Sequence, residues 1–591
     1  MGSTHQAILH DNLIEGADYT SPAHLIGHKW RVQHNMRLTP ILKQIPHSVL
    51  YTTIGSDDIV EMVIAPSGTS GYGRTLLFTS TAVKNLGGTT LIGGLVGGGT
   101  HWSKLIYNGS LYFGNEYNSI RYWNGASTTL LSNSPKARYL CVWYDHLVAA
   151  GILNSPSTLA CSDLYNFNVW TPTATNEADT YDFVEWQQTD YPFIGITGIG
   201  KLGGTLWVYT PTALIPVRYV GLPKVLHVVE DQIIARAGNT FPYTLVCLDK
   251  VHFFYDGIEK MFFAFNGQEV LAVGEPVRAY LINNLSTNLA LASKMFGFID
   301  VDNREIWWVF VSTASTGAFD KAVVFNYRYK RWFTASVNDV KCFCGGTNPI
   351  LAAKELTGAA KDLTGTAGSL GLGGTYVPRL YGSSAGQVLR EEVVADSTGT
   401  LLAQDTIALE SADFHYGDIK TIKENDSMFL NASFTSNEGT VVVTSYVVAT
   451  APDTGYDVTF DVIVGVPYKW VPVSGDSHLH NGNSVLLASD GTQTFLALST
   501  TVVVNTSHTT ATLKNEGAIK VLSQGRMFLG GDVTWTADDL CGYWSSYVQD
   551  DKFTYAPRVG RILRYRFEGE SLRFLTFSAY SDGVRAKGAE K

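Results

Sequence analysis

No run of about 18 apolar residues occurs in this 591-residue chain, so no membrane-crossing helix is expected. Charge is scarce as well. Only 16% of the residues are Asp, Glu, Lys or Arg, and 53 acids against 43 bases leave a formal net charge of −10. That balance argues against a basic surface built to grip nucleic acid. The six cysteines, at 141, 161, 247, 342, 344 and 541, follow no disulfide or zinc spacing and read as buried thiols of a reducing compartment. The opening residues, MGSTHQAILHDNL, lack the basic start and apolar core of a secretory signal.

Catalytic signatures are lacking too. The glycine run 93–99 does not end in the Gly-Lys-Ser/Thr that sets a lysine on a phosphate. No Gly-x-Ser-x-Gly elbow occurs, and carboxylate neighbours such as Glu391-Glu392 cannot be set face to face from their spacing. His478 and His480, near Asp476, share one face of a strand, but no third and fourth ligand accompany them, so polar loop histidines are the better reading. Cys342-Phe-Cys344 has the spacing of neither a zinc knuckle nor a redox pair. The segment 489–495 partly resembles the Asp-box of sialidase propellers, yet its Asp490 and Gly491 are adjacent where that motif separates them. No enzymatic activity, metal or cofactor is expected.

What the sequence has is β structure. Aromatics reach 12%, and 57 glycines accompany them. The clearest unit is 295–336, four short strands joined in sequence by turns: MFGFIDV, EIWWVFV, KAVVFNY and RWFTA. β-branched and aromatic side chains lose χ1 freedom in helices and pack well on a pleated sheet. About forty residues in four antiparallel strands is one blade of a β-propeller. Similar units occupy 105–131, 139–170, 196–220 and 244–273. In the first of these, Asn108-Gly109 and Asn124-Gly125 both read as type I′ hairpin turns. Strand-like runs at 49–80 and 375–394 bring the expected ring to about six or seven blades. The glycine-rich stretch 86–99 reads as a flexible loop.

The expected organisation is an N-terminal arm for assembly contacts (1–46), a propeller-rich region (47–344), a projecting Gly/Ala-rich loop (345–374), closing strands (375–400), and a β-sandwich-like domain with a basic C-terminal strand (401–591). In the loop, AAKELTG (352–358) is followed at once by AAKDLTG (359–365), a duplication too short for a coiled coil. Past 400, Thr/Val-rich runs such as GTVVVTSYVVAT and YDVTFDVIVGV show period-2 alternation. GRILRYRFEG alternates arginine with apolar residues as a half-buried strand does.

The order CVWYDHLVAAGILNSPSTLACSDLYNFNVW, ITGIGKLGGTLWVYTPTALIPVRYVG, LVCLDKVHFFYDGIEKMFFAFNGQEVLAVGEPV and REIWWVFV…KAVVFNYRYKRWFTAS resembles the tail nozzle proteins of short-tailed bacteriophages. These are also called tail tubular or tail-stabilisation proteins. The resemblance covers 138–336, with GRILRYRF a fainter echo near the end. It implies a homohexameric tube of the virion tail, made in the host cytoplasm, below the portal and its adaptor. The tube retains the genome and then conducts double-stranded DNA without specific binding; fibre or tip proteins are further candidate partners, and the sequence does not say whether fibres attach to this chain. Three features depart from the family: 86–99, 352–365 and the region after 400.

On this reading, the candidates for lumen-facing acids are Asp57, Asp58, Asp538, Asp539, Asp550 and Asp551. Ala352, Gly358, Gly365 and Gly374 mark a gate or tip loop. Arg558, Arg561, Arg564 and Arg566 are candidates for assembly contacts. The alternative is a propeller-bearing protein that binds or cleaves glycans at a receptor, since a propeller serves either role.

Overall fold

The computed structural model describes the chain between 6 and 589, leaving out 11–14, 66–73, 97–100, 187–194, 348–375, 392–399, 402–406, 415–420, 449–455, 472–476, 487–492, 507–511, 528–532, 546–551 and a few stretches of one to three residues. The fold is all-β and propeller-like. Six four-stranded antiparallel units follow one another along the chain, at 59–92, 103–130, 137–182, 198–228, 246–272 and 296–336 (blades 1 to 6).

A seventh blade draws on both sides of the ring. Cys342–Thr347, Tyr376–Gly382 and Gln387–Glu391 supply three of its strands, and Ser48–Thr53 pairs antiparallel with Gln387–Glu391 as the fourth. Buried apolar clusters join each blade to the next. Phe78 of blade 1 meets Trp102, which precedes blade 2, and Phe113 within it; Trp207 of blade 4 meets Phe265 of blade 5; Trp308 of blade 6 lies 4.4 Å from Phe262 of blade 5. The circuit closes where Ile59, Met62 and Leu77 of blade 1 pack with Cys342, Leu380 and Val388 of blade 7.

Turn chemistry accounts for several hairpins. Asn108 and Gly109 both take positive φ (46° and 72°), as a type I′ turn requires. Asn124-Gly125 does not form one. The strands there end at Trp123 and resume at Thr128, and the Asn124 side chain accepts the Ser127 N–H instead. Blade 3 has a two-residue turn that carries no Asn or Gly: Tyr144 and Asp145 sit at φ 46° and 59°, with the Asp145 carboxylate taking hydrogen bonds from the Tyr107 and Tyr165 hydroxyls.

The stretch expected to be a flexible loop, 86–99, is in its described part the outer edge of blade 1. Gly88 turns the chain at φ 79°, Thr90–Ile92 forms the fourth strand, and Ile92 and Leu95 are buried. Glycine there serves the turn, and the apolar residues between the glycines do the packing.

Beyond the propeller, Thr421–Ser436 pairs with Leu572–Ala589 and Lys552–Gly560, forming a sheet with strands of 16 and 18 residues where globular strands usually span about 3–10. Two further antiparallel sheets, of four and five strands, alternate along 439–515. Blade 6 also continues sideways, through Val32–His34 and Ile407–Glu410 into Ile562–Glu570 and Ala518–Arg526. The described part of 1–46, expected to serve contacts between subunits, is woven into its own chain. Gln6–His10 and Leu42–Gln44 pair with Leu572–Ala589, while Trp30, Met36, Leu38 and Leu42 are buried in the common core.

A buried charge cluster fixes this junction. Arg37 reaches Glu305 at 3.0 Å, Glu391 at 3.4 Å and Asp300 at 3.7 Å; Arg379 adds Glu391 at 2.7 Å, Asp300 at 3.5 Å and Asp302 at 3.7 Å. Two guanidinium groups thus face four carboxylates. Arg37, surrounded by three of them, stays charged. Glu305 has no solvent exposure, and burial outweighs Arg37 to raise its carboxyl to about 7.

The consequence is a pH-dependent stability. The folded state holds the Glu305 proton more tightly than the unfolded chain, whose value lies near 4.5. The stability tied to that proton is therefore complete below about pH 4.5 and is lost as pH rises through about 7. Denaturant midpoints are expected to fall between pH 5 and 7.5. Glu305→Gln, which keeps an acceptor for the Trp307 indole N–H, should flatten that slope; an identical slope in the variant would contradict the assignment.

Candidate functional site

The first strands of the seven blades converge on a central cavity of about 520 Å³. Glu61 of blade 1, Ser103 and Lys104 of blade 2, Arg138 to Leu140 of blade 3 and Gly198 and Ile199 of blade 4 line it. Val246 and Cys247 of blade 5, Phe296 to Ile299 of blade 6 and Cys342 and Phe343 of blade 7 complete the circuit, with His101 and Tyr243 between strands. Two glycines permit this convergence. A Cβ on Gly198 would stand 2.6 Å from Leu245, and one on Gly297 would stand 2.6 Å from Val246.

Each charged side chain on the wall is paired across a blade boundary. Lys104 Nζ donates to Glu61 Oε1 at 2.5 Å and to the Met62 carbonyl, joining blades 2 and 1. Arg138 donates from Nε to Glu116 at 3.0 Å and again from its terminal nitrogen, joining blades 3 and 2. Lys341 donates to Asp58, joining blades 7 and 1. Burial alone would raise the Glu61 carboxyl, but the Lys104 charge and His101, 3.8 Å away, overrule it and hold it below its usual range.

The wall from blade 5 to blade 7 also carries aromatic rings. Phe298 stacks on Phe343 at 4.7 Å, and His101 lies 4.7 Å from Tyr243 and 4.9 Å from Phe296. Phe298, Phe343 and Tyr243 remain partly exposed to the cavity. Burial pushes the Cys344 thiol up to about 12, so it stays protonated at neutral pH and is a poor nucleophile. Burial likewise lowers His34 and His252 to about 4, and both stay neutral: His34 bonds to Thr334 and Ser336, and His252 bonds to Tyr209.

Among the described candidates from the sequence, Asp58 touches this site as the partner of Lys341, and the others lie outside its lining. Asp57 accepts a bond from Thr81, and Asp58 is held by Lys341 and the Ala385 N–H. Asp539 caps a short 3₁₀ turn with Thr536 and takes a bond from Gln524, while Asp538 is exposed beside it. Asp550, Asp551, Ala352, Gly358, Gly365 and Gly374 lie outside the described residues. The arginines of the C-terminal strand have partners within the chain. Arg564, 2% exposed at its side chain, binds Asp413 at 2.6 Å and Glu410 at 3.3 Å. Arg566 binds Glu410 and Glu568, Arg558 donates to the Leu540 carbonyl, and the Arg561 carbonyl accepts from Lys423. His478 and His480 lie in the strand Ser477–Asn481. Among the described residues no group of three or more His, Cys, Asp or Glu is placed to hold a metal, and no helix is long and apolar enough to cross a membrane.

The sequence reading missed Glu61, Lys104, Arg138, Tyr243, Phe298 and Phe343. A signal exists for the charged three: each is the ionised residue within the otherwise largely apolar first strand of its unit, IVEMVIA, SKLIY and ARYLCVW. Aligning the units on those strands brings them into one layer.

Lys104→Met leaves the Glu61 carboxylate without its main partner and should cost about 1–3 kcal/mol, tempered by the partial exposure of both groups. Adding Glu61→Gln should cost less than the sum of the single changes. Strict additivity in denaturation experiments on all four proteins would contradict the pairing.

No protein-family model matches the chain, and a search of curated proteins finds no relative. Likenesses exist among solved structures. Sqt1 of Saccharomyces cerevisiae is 13% identical, the match covering 59% of this chain and 100% of that one at a TM-score of 0.32. The extracellular domain of a Bacteroides thetaiotaomicron protein described as a hybrid two-component system is 10% identical, over 72% of this chain and 45% of that one, at 0.32. A Bacteroides fragilis protein described as a 6-phosphogluconolactonase is 10% identical, over 46% and 80%, at 0.30. At these TM-scores the likenesses carry no functional argument.

Proposed function

We propose that the chain is a structural subunit of a phage tail nozzle, six copies of which form a tube below the portal and adaptor. The reading rests on the likeness of 138–336 to that family. The structural observation that carries it is the pairing of a propeller whose channel is a small, walled cavity with a separate framework of very long strands. Thr421–Ser436 and Leu572–Ala589 run antiparallel along that framework, and Gln6–His10 joins them, so both chain ends meet in one sheet. A duplex does not fit the propeller's own cavity, so on this reading its path runs between subunits and the propellers hang outside.

The charge fits a conduit that does not hold its cargo. Six chains carry a net charge of −60. A wall of lysine and arginine would bind phosphates through counterion release and slow exit. An acidic or neutral wall keeps a duplex centred, with repulsion screened over about 8–10 Å in physiological salt. Asp538 and Asp539 remain proposals for that wall, and Arg558, Arg561 and Arg566 for contacts with neighbouring subunits or the adaptor; Asp57 and Asp58, on the propeller, and Arg564, buried against Asp413 and Glu410, do not suit those roles.

Mass photometry of the purified protein should give a species of six chains, and that species should leave duplex DNA unretarded in a low-salt gel. A monomer or trimer at micromolar concentration, or tight and salt-sensitive DNA binding by the hexamer, would overturn the reading.

A further inference from the structure

We infer that the central cavity of the propeller is a binding site for a neutral saccharide of one or two pyranose rings. Its volume of about 520 Å³ falls among small-molecule sites, which run to roughly 300–1,000 Å³. Its charges decide what class of ligand fits. Lys104, Arg138 and Lys341 are each already matched by Glu61, Glu116 and Asp58. A phosphate or carboxylate entering the cavity finds no unmatched cation, and an ammonium ion finds no unmatched carboxylate. A charged ligand would have to break an ion pair that also ties two blades together.

Hydrogen-bonding capacity nevertheless remains. The Lys104 ammonium has three donors and places two, on Glu61 and the Met62 carbonyl. Arg138 engages Glu116 through Nε and one terminal nitrogen of its five-donor fork. Such groups suit hydroxyls, which accept from cations and donate to carboxylates.

The second half of the lining completes the match. Phe298 and Phe343, stacked on each other, and Tyr243 line the cavity from blades 5 to 7, beside the ion pairs of blades 1 to 3 and 7. A pyranose has the same two-sided character, with hydroxyls around its edge and an apolar C–H face. Tyrosine combines a large apolar ring with a polar tip, which serves both surfaces. The inference stands apart from tube assembly: a hexamer that binds no sugar and a monomer that does are separate outcomes.

The test uses the full chain, isothermal titration and ligand-observed NMR. The probes are glucose, N-acetylglucosamine, maltose and cellobiose, with glucose 6-phosphate and choline as charged controls. At least one neutral sugar should bind one per chain with Kd of about 1 mM or tighter. Phe298→Leu and Phe343→Leu keep an apolar side chain and should each weaken that binding by about three- to tenfold with the melting midpoint little changed. Two variants guard against one failing to fold. Failure of all four neutral sugars at about 10 mM, stronger binding of either charged control, or unchanged affinity in both folded variants would overturn the inference.

Discussion

A ring of sheets holds only if its last sheet reaches its first, and here that closure uses a strand from before the ring began. Ser48–Thr53 completes blade 7 by pairing with Gln387–Glu391, more than 300 residues further along the chain. Both ends of the ring are thereby pinned in one sheet, which removes the exposed edge that an open array would leave. The residues just before that strand must then leave the propeller at the junction of blades 6 and 7. They do so as Val32–His34, Met36–Leu38 and Leu42–Gln44, pairing with blade 6 and with the framework beyond it. Arg37 is buried at this crossing, where it meets one carboxylate of blade 7 and two of blade 6. Breaking one partner of such a cluster is costly because the remaining charges stay desolvated.

Closure also dictates what lies inside. Seven first strands cannot converge without bringing charged and bulky groups face to face, and the chain resolves this by arc. Blades 1 to 3 and 7 pair their charges across boundaries, blade 4 contributes glycine, and blades 5 to 7 stack rings. The result is a cavity, walled by every blade, that holds balanced charge.

Local features of this fold were legible in the sequence. EIWWVFV and KAVVFNY are strands because their β-branched and aromatic side chains suit no helix, and Asn108-Gly109 is a type I′ turn because those residues accept positive φ. The Tyr144-Asp145 turn was not legible. Its conformation is held by two tyrosine hydroxyls that bond Asp145, one from the preceding blade. Nor could the fourth strand of blade 7 be assigned, since strand pairing across such a separation leaves no local mark. The arginines of Ile562–Glu570 carried a period-2 signal, but the partners that bury Arg564, Asp413 and Glu410, lie about 150 residues away. The cavity was illegible for the same reason: Glu61, Lys104 and Arg138 meet only after three units stack.

On the proposed reading, the two halves of the molecule divide the work. The propeller keeps its own edges covered, and the framework of long strands, joined by both chain ends, faces its neighbours and the passage between them. A cryo-EM map of the assembled protein tests that division most directly. The account predicts six copies around an open pore lined by the sheet of Thr421–Ser436 and Leu572–Ala589, with the propellers at the periphery. A pore lined by propeller blades, or particles with a single propeller and no pore between subunits, would contradict it.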